Sequence, residues 1–285
     1  MSAMSLDEAQ AILADRNLIA VGARGDDARR RRHGNKTTFV RVFEVHTDAI
    51  PAALPASASP GEIRVTGKPS SVAAAVASIK AARALGGPIP VSAYSLDDLL
   101  ELAGGGLATL TDLVARLAAA GLEIIAEAPL DRLADATGAI RAARDGGVQV
   151  PRLTLRELSA GDELRFVTVA RDVQLSVGGV RAFAPLARVS AVAQPSTGYD
   201  DVKQIAVARL LADNIESIQV DWALYGPKLA QVALTMGADD VDAVSALVGD
   251  LGRRRSPIEE IRGNITAAGL EPVERDARFQ PRSTP

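Results

Sequence analysis

The sequence contains no cysteine in 285 residues. This absence excludes disulfides, cysteine nucleophiles, thiolate zinc sites and the usual ligation of iron–sulfur clusters. Only two histidines are present, so a multi-histidine metal site is not expected either. We therefore predict no metal site and no iron–sulfur cluster.

Aromatic residues are also scarce, at 3% of the chain, and the apolar residues are mainly Ala, Val, Leu and Ile. Such a composition favours packed helices and buried parallel strands over an all-β sandwich. The formal net charge of −3 gives no reason to expect a nucleic-acid partner. No apolar run reaches the roughly 20 residues that cross a bilayer, and residues 1–10 lack the apolar core of a secretory signal. We expect a soluble cytoplasmic protein with no membrane partner.

Strand-like and helix-like segments alternate along the chain. Strands are predicted at 37–45, 62–66, 89–93, 122–126, 148–155, 180–185 and 215–222, mostly separated by helices. This order indicates α/β architecture, with a single parallel (β/α) barrel as the prediction. A doubly wound sheet is the alternative, but the loop 46–61 has no Gly-rich phosphate turn. Residues 1–36 are predicted to form an N-terminal helical extension, and 226–285 a C-terminal one.

Several segments resemble one known enzyme family. The most specific are 213–224, which reads Asp-Asn-Ile-Glu-Ser-Ile-Gln-Val-Asp-Trp-Ala-Leu, and 226–231, which reads Gly-Pro-Lys-Leu-Ala-Gln. Residues 237–240, which read Gly-Ala-Asp-Asp, belong with the second of these segments, and weaker matches lie at 32–35, 120–127, 171–174, 206–210 and 268–276. Together they resemble the radical S-adenosylmethionine (SAM) family of aminofutalosine synthase, dehypoxanthine futalosine cyclase and the deazaflavin synthases. The menaquinone (futalosine) branch is the more similar.

The resemblance implies a radical SAM barrel, but the sequence departs from the family where the cofactors bind. Active members carry Cys-x-x-x-Cys-x-x-Cys and a helix after the first strand, whereas 46–55 has neither cysteines nor a helical pattern. A Gly-Gly pair that approaches the SAM amino group has become Gly67-Lys68 after Thr66. We therefore expect no [4Fe–4S] cluster, no SAM binding and no radical chemistry. Because a helix is lost, the sequence leaves open whether the barrel is closed or is incomplete and open.

Chemistry in a barrel belongs at the C-terminal ends of the strands. The candidate catalytic residues there are Glu44, His46 and Glu127, and the candidate substrate-binding residues are Lys68, Arg152, Arg188, Asp221 and Trp222. Because the implied ancestral substrates carry a carboxylate, the three cations could hold an anionic small molecule. The alternative interpretation is that these cations form ion pairs with acidic residues at the barrel rim.

A run of four arginines, 29–32, stands outside this set of candidates. The simplest interpretation is a solvated helix end with salt bridges to Asp26 and Asp27. A phosphate or carboxylate site is the alternative, although no aromatic residues or Gly-rich loop accompany the run.

Three functional hypotheses follow from the sequence. The first is an accessory, non-radical homologue in futalosine-type menaquinone biosynthesis, partnered by an active radical SAM paralogue or by a second copy of itself. The second is a repurposed barrel enzyme, a lyase or hydrolase that uses acid–base chemistry on a futalosine-pathway intermediate. The third is a small-molecule binding or sensing module that uses the old substrate pocket.

Overall fold

The computed structural model describes residues 4–189, 198–247 and 257–282. Within these ranges nine strands, all paired in parallel, form one sheet. The strands are β1 (Lys36–His46), β2 (Glu62–Thr66), β3 (Val91–Ser95), β4 (Ile124–Pro129), β5 (Arg152–Leu155), β6 (Ala182–Ala187), β7 (Ser217–Asp221), β8 (Asp240–Ser245) and β9 (Glu271–Arg275).

Eight of these strands close into a barrel. Strands β2 to β8 follow one another in chain order, and β1 lies between β8 and β2. The second half of β1, from Val42 to His46, pairs with β2, while its first half, from Lys36 to Val40, pairs with β9. The barrel prediction is therefore confirmed, and the barrel is closed rather than incomplete or open.

Helices cover the outside of the barrel and occupy most of the connections. They are α1 (Leu6–Ala14), α2 (Leu18–His33), α3 (Val72–Gly86), α4 (Leu96–Leu102), α5 (Leu107–Ala119), α6 (Ala136–Asp145), α7 (Glu163–Val177), α8 (Gly198–Leu211), α9 (Trp222–Leu234) and α10 (Pro257–Ala267). None of the described helices is by itself long and apolar enough to cross a membrane; α4 and α5 meet those criteria only as a pair bent by 108°.

The connection from β1 to β2 is the exception, because residues 47–61 contain no helix. This agrees with the loss of the first barrel helix expected from the sequence. The barrel closes nonetheless, since five consecutive residue pairs from Val42–Glu62 to His46–Thr66 join the two strands.

The segment 226–285 differs from the purely helical extension that was predicted. It contains β8 and β9, and residues 248–256 and 283–285 of it lie outside the described ranges, as do residues 1–3 of the N-terminal extension. The sequence pattern missed β8 because aspartate, present at 240 and 242, is rare in strands. It missed β9 because of Pro272, which strand interiors disfavour.

Strand β8 also carries a bulge. Between the pairs Phe39–Val241 and Arg41–Val244, one residue of β1, Val40, faces two residues of β8, Asp242 and Ala243. Ala243 accommodates the extra residue with a φ of 55°, a left-handed conformation that is unfavourable for any residue with a Cβ atom. Bulges of this kind re-aim neighbouring side chains, and here the neighbour is Asp242.

The side chains of β2 show how the barrel is filled. Ile63 and Val65 are buried, and Ile63 lies against Gly86 of α3, so this face of the strand meets the helical layer. Because side chains alternate along a strand, Glu62 and Arg64 face the barrel interior. Both are also buried, at 1% and 3% exposure. The interior of this barrel is therefore charged.

Substituting Asp242, the central acid of this interior, should be costly. Asp242→Asn leaves two buried guanidiniums without their shared carboxylate, and we expect a loss of about 3–5 kcal/mol in the free energy of unfolding. Because the pKa of Asp242 is lowered in the folded state, its stabilisation is complete above its unfolded pKa of about 3.9 and is lost as the pH falls further. Urea unfolding at several pH values measures both effects.

The matched control is Asp48→Asn, which removes a carboxylate whose side chain is 70% exposed. We expect its free energy of unfolding to differ from that of the wild type by no more than about 0.5 kcal/mol, with the same loss of stability at acidic pH. Equal losses in the two variants would contradict the assigned role of Asp242.

Candidate functional site at the barrel mouth

A buried network of four charged side chains crosses the barrel interior. We call Glu62, Arg64, Arg152 and Asp242 the interior network. Arg64 donates to both carboxylate oxygens of Asp242, at 2.8 and 3.0 Å, and its Nε donates to Glu62 at 2.7 Å. Arg152 reaches Asp242 at 3.2 Å and donates to the Ala126 carbonyl at 3.0 Å. The charges of two carboxylates and two guanidiniums thus balance one another.

The electrostatics of this network depend on Asp242. Burial alone would raise the pKa of the Asp242 carboxyl, but the charges of Arg152 and Arg64, with the hydrogen bonds from Arg64, outweigh burial and hold it well below its usual range. Asp242 is therefore ionised, and together with Glu62 it neutralises two guanidiniums that have almost no contact with water.

A second ion pair lies nearer the N-terminal end of the barrel. Arg275 of β9 donates from Nε and Nη2 to the two carboxylate oxygens of Asp240, both at 2.6 Å. Its guanidinium also lies 3.9 Å from the centroid of the Phe279 ring. These groups lie below the interior network, whereas the predicted site residues Glu44, Glu127, Arg188 and Asp221 lie towards the C-terminal mouth.

At the mouth, one guanidinium joins two of the predicted site acids. Arg188 lies just after β6, and its Nε is 3.0 Å from Oε2 of Glu127, while its Nη2 is 3.2 Å from Oδ2 of Asp221. Asp221 also accepts a hydrogen bond from the Leu224 N–H at 2.9 Å, which caps α9. Burial raises the pKa of Asp221, and the nearby Asp242 charge raises it further.

Glu44 is the uncommitted carboxyl of the mouth. It lies in register with Arg64 on the neighbouring strand and therefore shares the inward face, two residues above the level of Glu62. Among the described residues it has no hydrogen-bond or ion-pair partner, and its side chain is exposed through the mouth. The surrounding protein still raises its pKa, through partial burial first and then through the charges of Asp242 and Asp221.

His46 occupies the corner between β1 and β2. Its ring lies against Gly67, where its Nε2 is 2.4 Å from the position that a Cβ on Gly67 would take. Its Nδ1 accepts a hydrogen bond from the Asp48 N–H at 3.3 Å. The next residue, Thr47, is tied to the Tyr94 hydroxyl at 3.1 Å, which anchors the start of the β1–β2 loop to β3.

The remaining predicted residues do not form a free binding surface. Lys68 lies on the outer rim with its Nζ 2.6 Å from Glu101, and Trp222 is buried as the first residue of α9. Arg152 lies below the mouth in the interior network. Lys68, Arg152 and Arg188 are therefore all ion-paired, as the alternative interpretation of the sequence predicted.

The cofactors of the implied family do not fit the residues at this corner. An iron–sulfur cluster of the family type needs three thiolates after β1, and residues 47–61 contain none. SAM would bring its amino group to the turn after β2, where the His46 ring already covers Gly67. We derive no chemical step through either group.

Sequence reasoning missed most of the interior network. Glu62, Arg64 and Asp242 were not candidates, because Asp242 lay in a segment predicted to be helical and the charges of 62–66 were not assigned to a face. The signal was available in β2, where Glu62 and Arg64 alternate with apolar residues inside a strand bordered by helices.

Comparison with known proteins identifies the origin of this architecture. Residues 181–285 match the family model described as the CofH/MqnC C-terminal region. Over 132 residues the chain is 33% identical to aminodeoxyfutalosine synthase of Streptomyces coelicolor, covering 39% of this chain and 34% of that protein. Over these residues the cysteine-less chain is a homologue of the CofH/MqnC-type proteins.

The chain is similar to relatives of both the futalosine and the deazaflavin branches. It is 35% identical over 125 residues to aminodeoxyfutalosine synthase of Thermus thermophilus, covering 39% of the chain and 34% of that protein. It is 33% identical over 129 residues to 5-amino-6-(D-ribitylamino)uracil–L-tyrosine 4-hydroxyphenyl transferase of Archaeoglobus fulgidus, covering 41% and 38%. The homologue thus spans little more than a third of the length of each relative.

Solved structures support the fold over nearly the whole homologue. Methylornithine synthase superposes with a TM-score of 0.64 at 13% identity, covering 95% of this chain and 94% of that one. The [FeFe]-hydrogenase maturase HydG superposes with a TM-score of 0.64 at 14% identity, covering 95% and 72%. At these identities the likeness concerns the barrel alone.

The role of Arg188 at the mouth can be tested by titration. Arg188→Met removes a positive charge that lowers the pKa of Asp221, so we expect the pKa of Asp221 to rise further above its ordinary value. Carboxyl-detected NMR titration of Asp221 measures the change. The control is Arg171→Met, which removes an arginine paired with exposed Asp172 on α7. An unchanged Asp221 titration in Arg188→Met would show that the pair is not formed.

Proposed function

We propose that this homologue is a non-radical member of its family that acts in futalosine-type menaquinone biosynthesis beside an active, cysteine-bearing radical SAM relative. The observation that carries the proposal is the corner after β1. There the loop offers no thiolate, and His46 covers the glycine beside which the SAM amino group would lie. Such a corner suits a protein that has stopped generating radicals but has kept its barrel.

The distribution of the matched residues supports the same proposal. The stretch that matches the family, 181–285, contains Arg188, Asp221 and Asp242. It therefore supplies the mouth guanidinium, one of its acids and the central acid of the interior network. The changes that remove cofactor binding lie in the other half of the barrel, at β1 and β2. We infer that the mouth was kept for recognition of a molecule or a partner of the pathway.

Deleting the gene should lower the menaquinone content of the cell, since the pathway would lose an accessory component. Reintroducing the wild-type chain should restore it, and so should the Glu101→Gln control at the outer rim. Quantifying menaquinone by mass spectrometry measures this. A tagged chain should also retain the cysteine-bearing relative on co-purification, with self-association as the competing outcome.

Two results would contradict this proposal. One is a deletion strain with normal menaquinone. The other is an absorbance band of an iron–sulfur cluster after anaerobic reconstitution of the purified chain with iron and sulfide, which would contradict its non-radical character.

Glu44 supports a second candidate function, acid–base catalysis on a pathway intermediate. It is the one predicted catalytic residue that is exposed at the mouth, has no partner among the described residues and has a raised pKa. A carboxyl with these properties suits a general acid, because it retains a proton closer to neutral pH than an ordinary glutamate does. Glu127, by contrast, is held by Arg188.

If this second function holds, Glu44→Gln should reduce turnover about 10²- to 10⁴-fold while leaving the unfolding midpoint unchanged. The assay is conversion of futalosine-pathway intermediates by the purified chain, followed by mass spectrometry. Asp48→Asn, which alters an exposed acid on the loop that follows β1, should retain full turnover. Equal turnover by wild type and Glu44→Gln would remove Glu44 from catalysis.

A further inference from the structure

A cavity lies on the outside of the barrel, away from the mouth. It has a volume of about 560 Å³ and is enclosed by α1, α2 and the end of α8. Its lining includes the arginines Arg24, Arg31, Arg32 and Arg209 and the apolar side chains of Met4 and Leu210. Four guanidiniums thus meet around one cavity with apolar walls.

Two of these arginines are fixed in place. Arg32 donates to the carbonyls of Asp213 and Ile215, just beyond the end of α8. Arg209 donates to the carbonyls of Gly237 and Glu216 at 3.0 and 3.1 Å and is paired with Asp239. Hydrogen bonds therefore hold these two guanidiniums in fixed positions in the lining of the cavity.

The other two arginines are uncommitted. Among the described residues, Arg24 and Arg31 have no hydrogen-bond or ion-pair partner. They are seven residues apart on α2, which places them on one face of the helix, two turns and about 10 Å apart. Arg29 and Arg30, in contrast, are both paired with Asp26, as predicted for this arginine run. The predicted salt bridge to Asp27 is not found among the described residues, and Arg29 is buried, which corrects the expectation of a solvated helix end.

Three carboxylates also line the cavity, those of Glu8, Asp27 and Asp213. Hydrogen bonds from Ser5 and, to a smaller extent, the positive charge of Arg24 lower the pKa of Glu8, so this acid partly offsets the charge of Arg24. Glu8 accepts hydrogen bonds from the Ser5 N–H at 2.8 Å and the Ser5 hydroxyl at 3.1 Å, which commits it to capping α1. Asp27 and Asp213 also lie at the lining, but neither is within ion-pair distance of Arg24 or Arg31. The acids reduce the local positive potential without occupying the two free guanidiniums.

We propose that this cavity binds a small anionic molecule that carries a phosphate or carboxylate group on an apolar body. Arg24 and Arg31 would hold the anion, since guanidinium groups match both oxyanions. Met4 and Leu210 would contact the apolar part. The anion site therefore lies on α2 and not at the mouth, where Lys68, Arg152 and Arg188 are all paired.

The test uses the full chain and three defined probes: inorganic phosphate, phenyl phosphate and benzoate. NMR titrations at constant ionic strength should show saturable shifts of the amide signals of Arg24 and Arg31. Phenyl phosphate or benzoate should bind more tightly than inorganic phosphate, because the apolar wall contributes. Whichever of the two aromatic probes binds more tightly identifies the preferred anion.

The double variant Arg24→Gln/Arg31→Gln should weaken the binding of that probe at least tenfold. Both side chains are exposed, so the variant should keep the wild-type melting temperature without probe. Arg16→Gln removes an exposed arginine that does not line the cavity and should change the affinity less than twofold. Equal affinities in the wild type and the double variant would overturn the proposal, as would shifts that do not saturate.

Discussion

The structure depends on one carboxylate inside the barrel. Asp242 accepts hydrogen bonds from both Arg64 and Arg152, so it links β8 to β2 and to β5 across the interior. Barrels of this class are usually filled by layers of branched apolar side chains. Here each buried charge is balanced by an opposite charge on another strand. The removal of one member therefore affects every strand that the network joins.

This constraint also explains what remains for function. The interior network and the Arg275–Asp240 pair fill the barrel axis, so the only inward-facing acid left uncommitted among the described residues is Glu44 at the mouth. The corner after β1 is likewise occupied, by His46 against Gly67. The chain thus has a barrel of the kind seen in methylornithine synthase and HydG, with no cysteine and no helix between β1 and β2. Free positive charge is found elsewhere, on α2.

Much of the fold could be predicted from the sequence, and the reasons for the misses are physical. The strand 62–66 was predicted with the bounds that the structure shows, because a glycine on each side, Gly61 and Gly67, marks its ends. Strand β8 was missed because its inward aspartates mimic a surface segment. The sequence predicted only that Glu127, Arg188 and Asp221 lie at the same mouth of the barrel, and not that Arg188 pairs with the two acids. Which side chains pair depends on distances between strands that no local pattern contains.

The position of β1 has a consequence for how the chain is made. This strand is synthesised early, but its partners β8 and β9 come from the opposite end of the chain. Only β2 is available soon after β1 leaves the ribosome. One edge of β1, a strand rich in Val and Phe, therefore stays unpaired until β8 and β9 have been translated. Closure of the ring is a late, long-range step, and the interval before it is when the nascent chain is most exposed to misassociation.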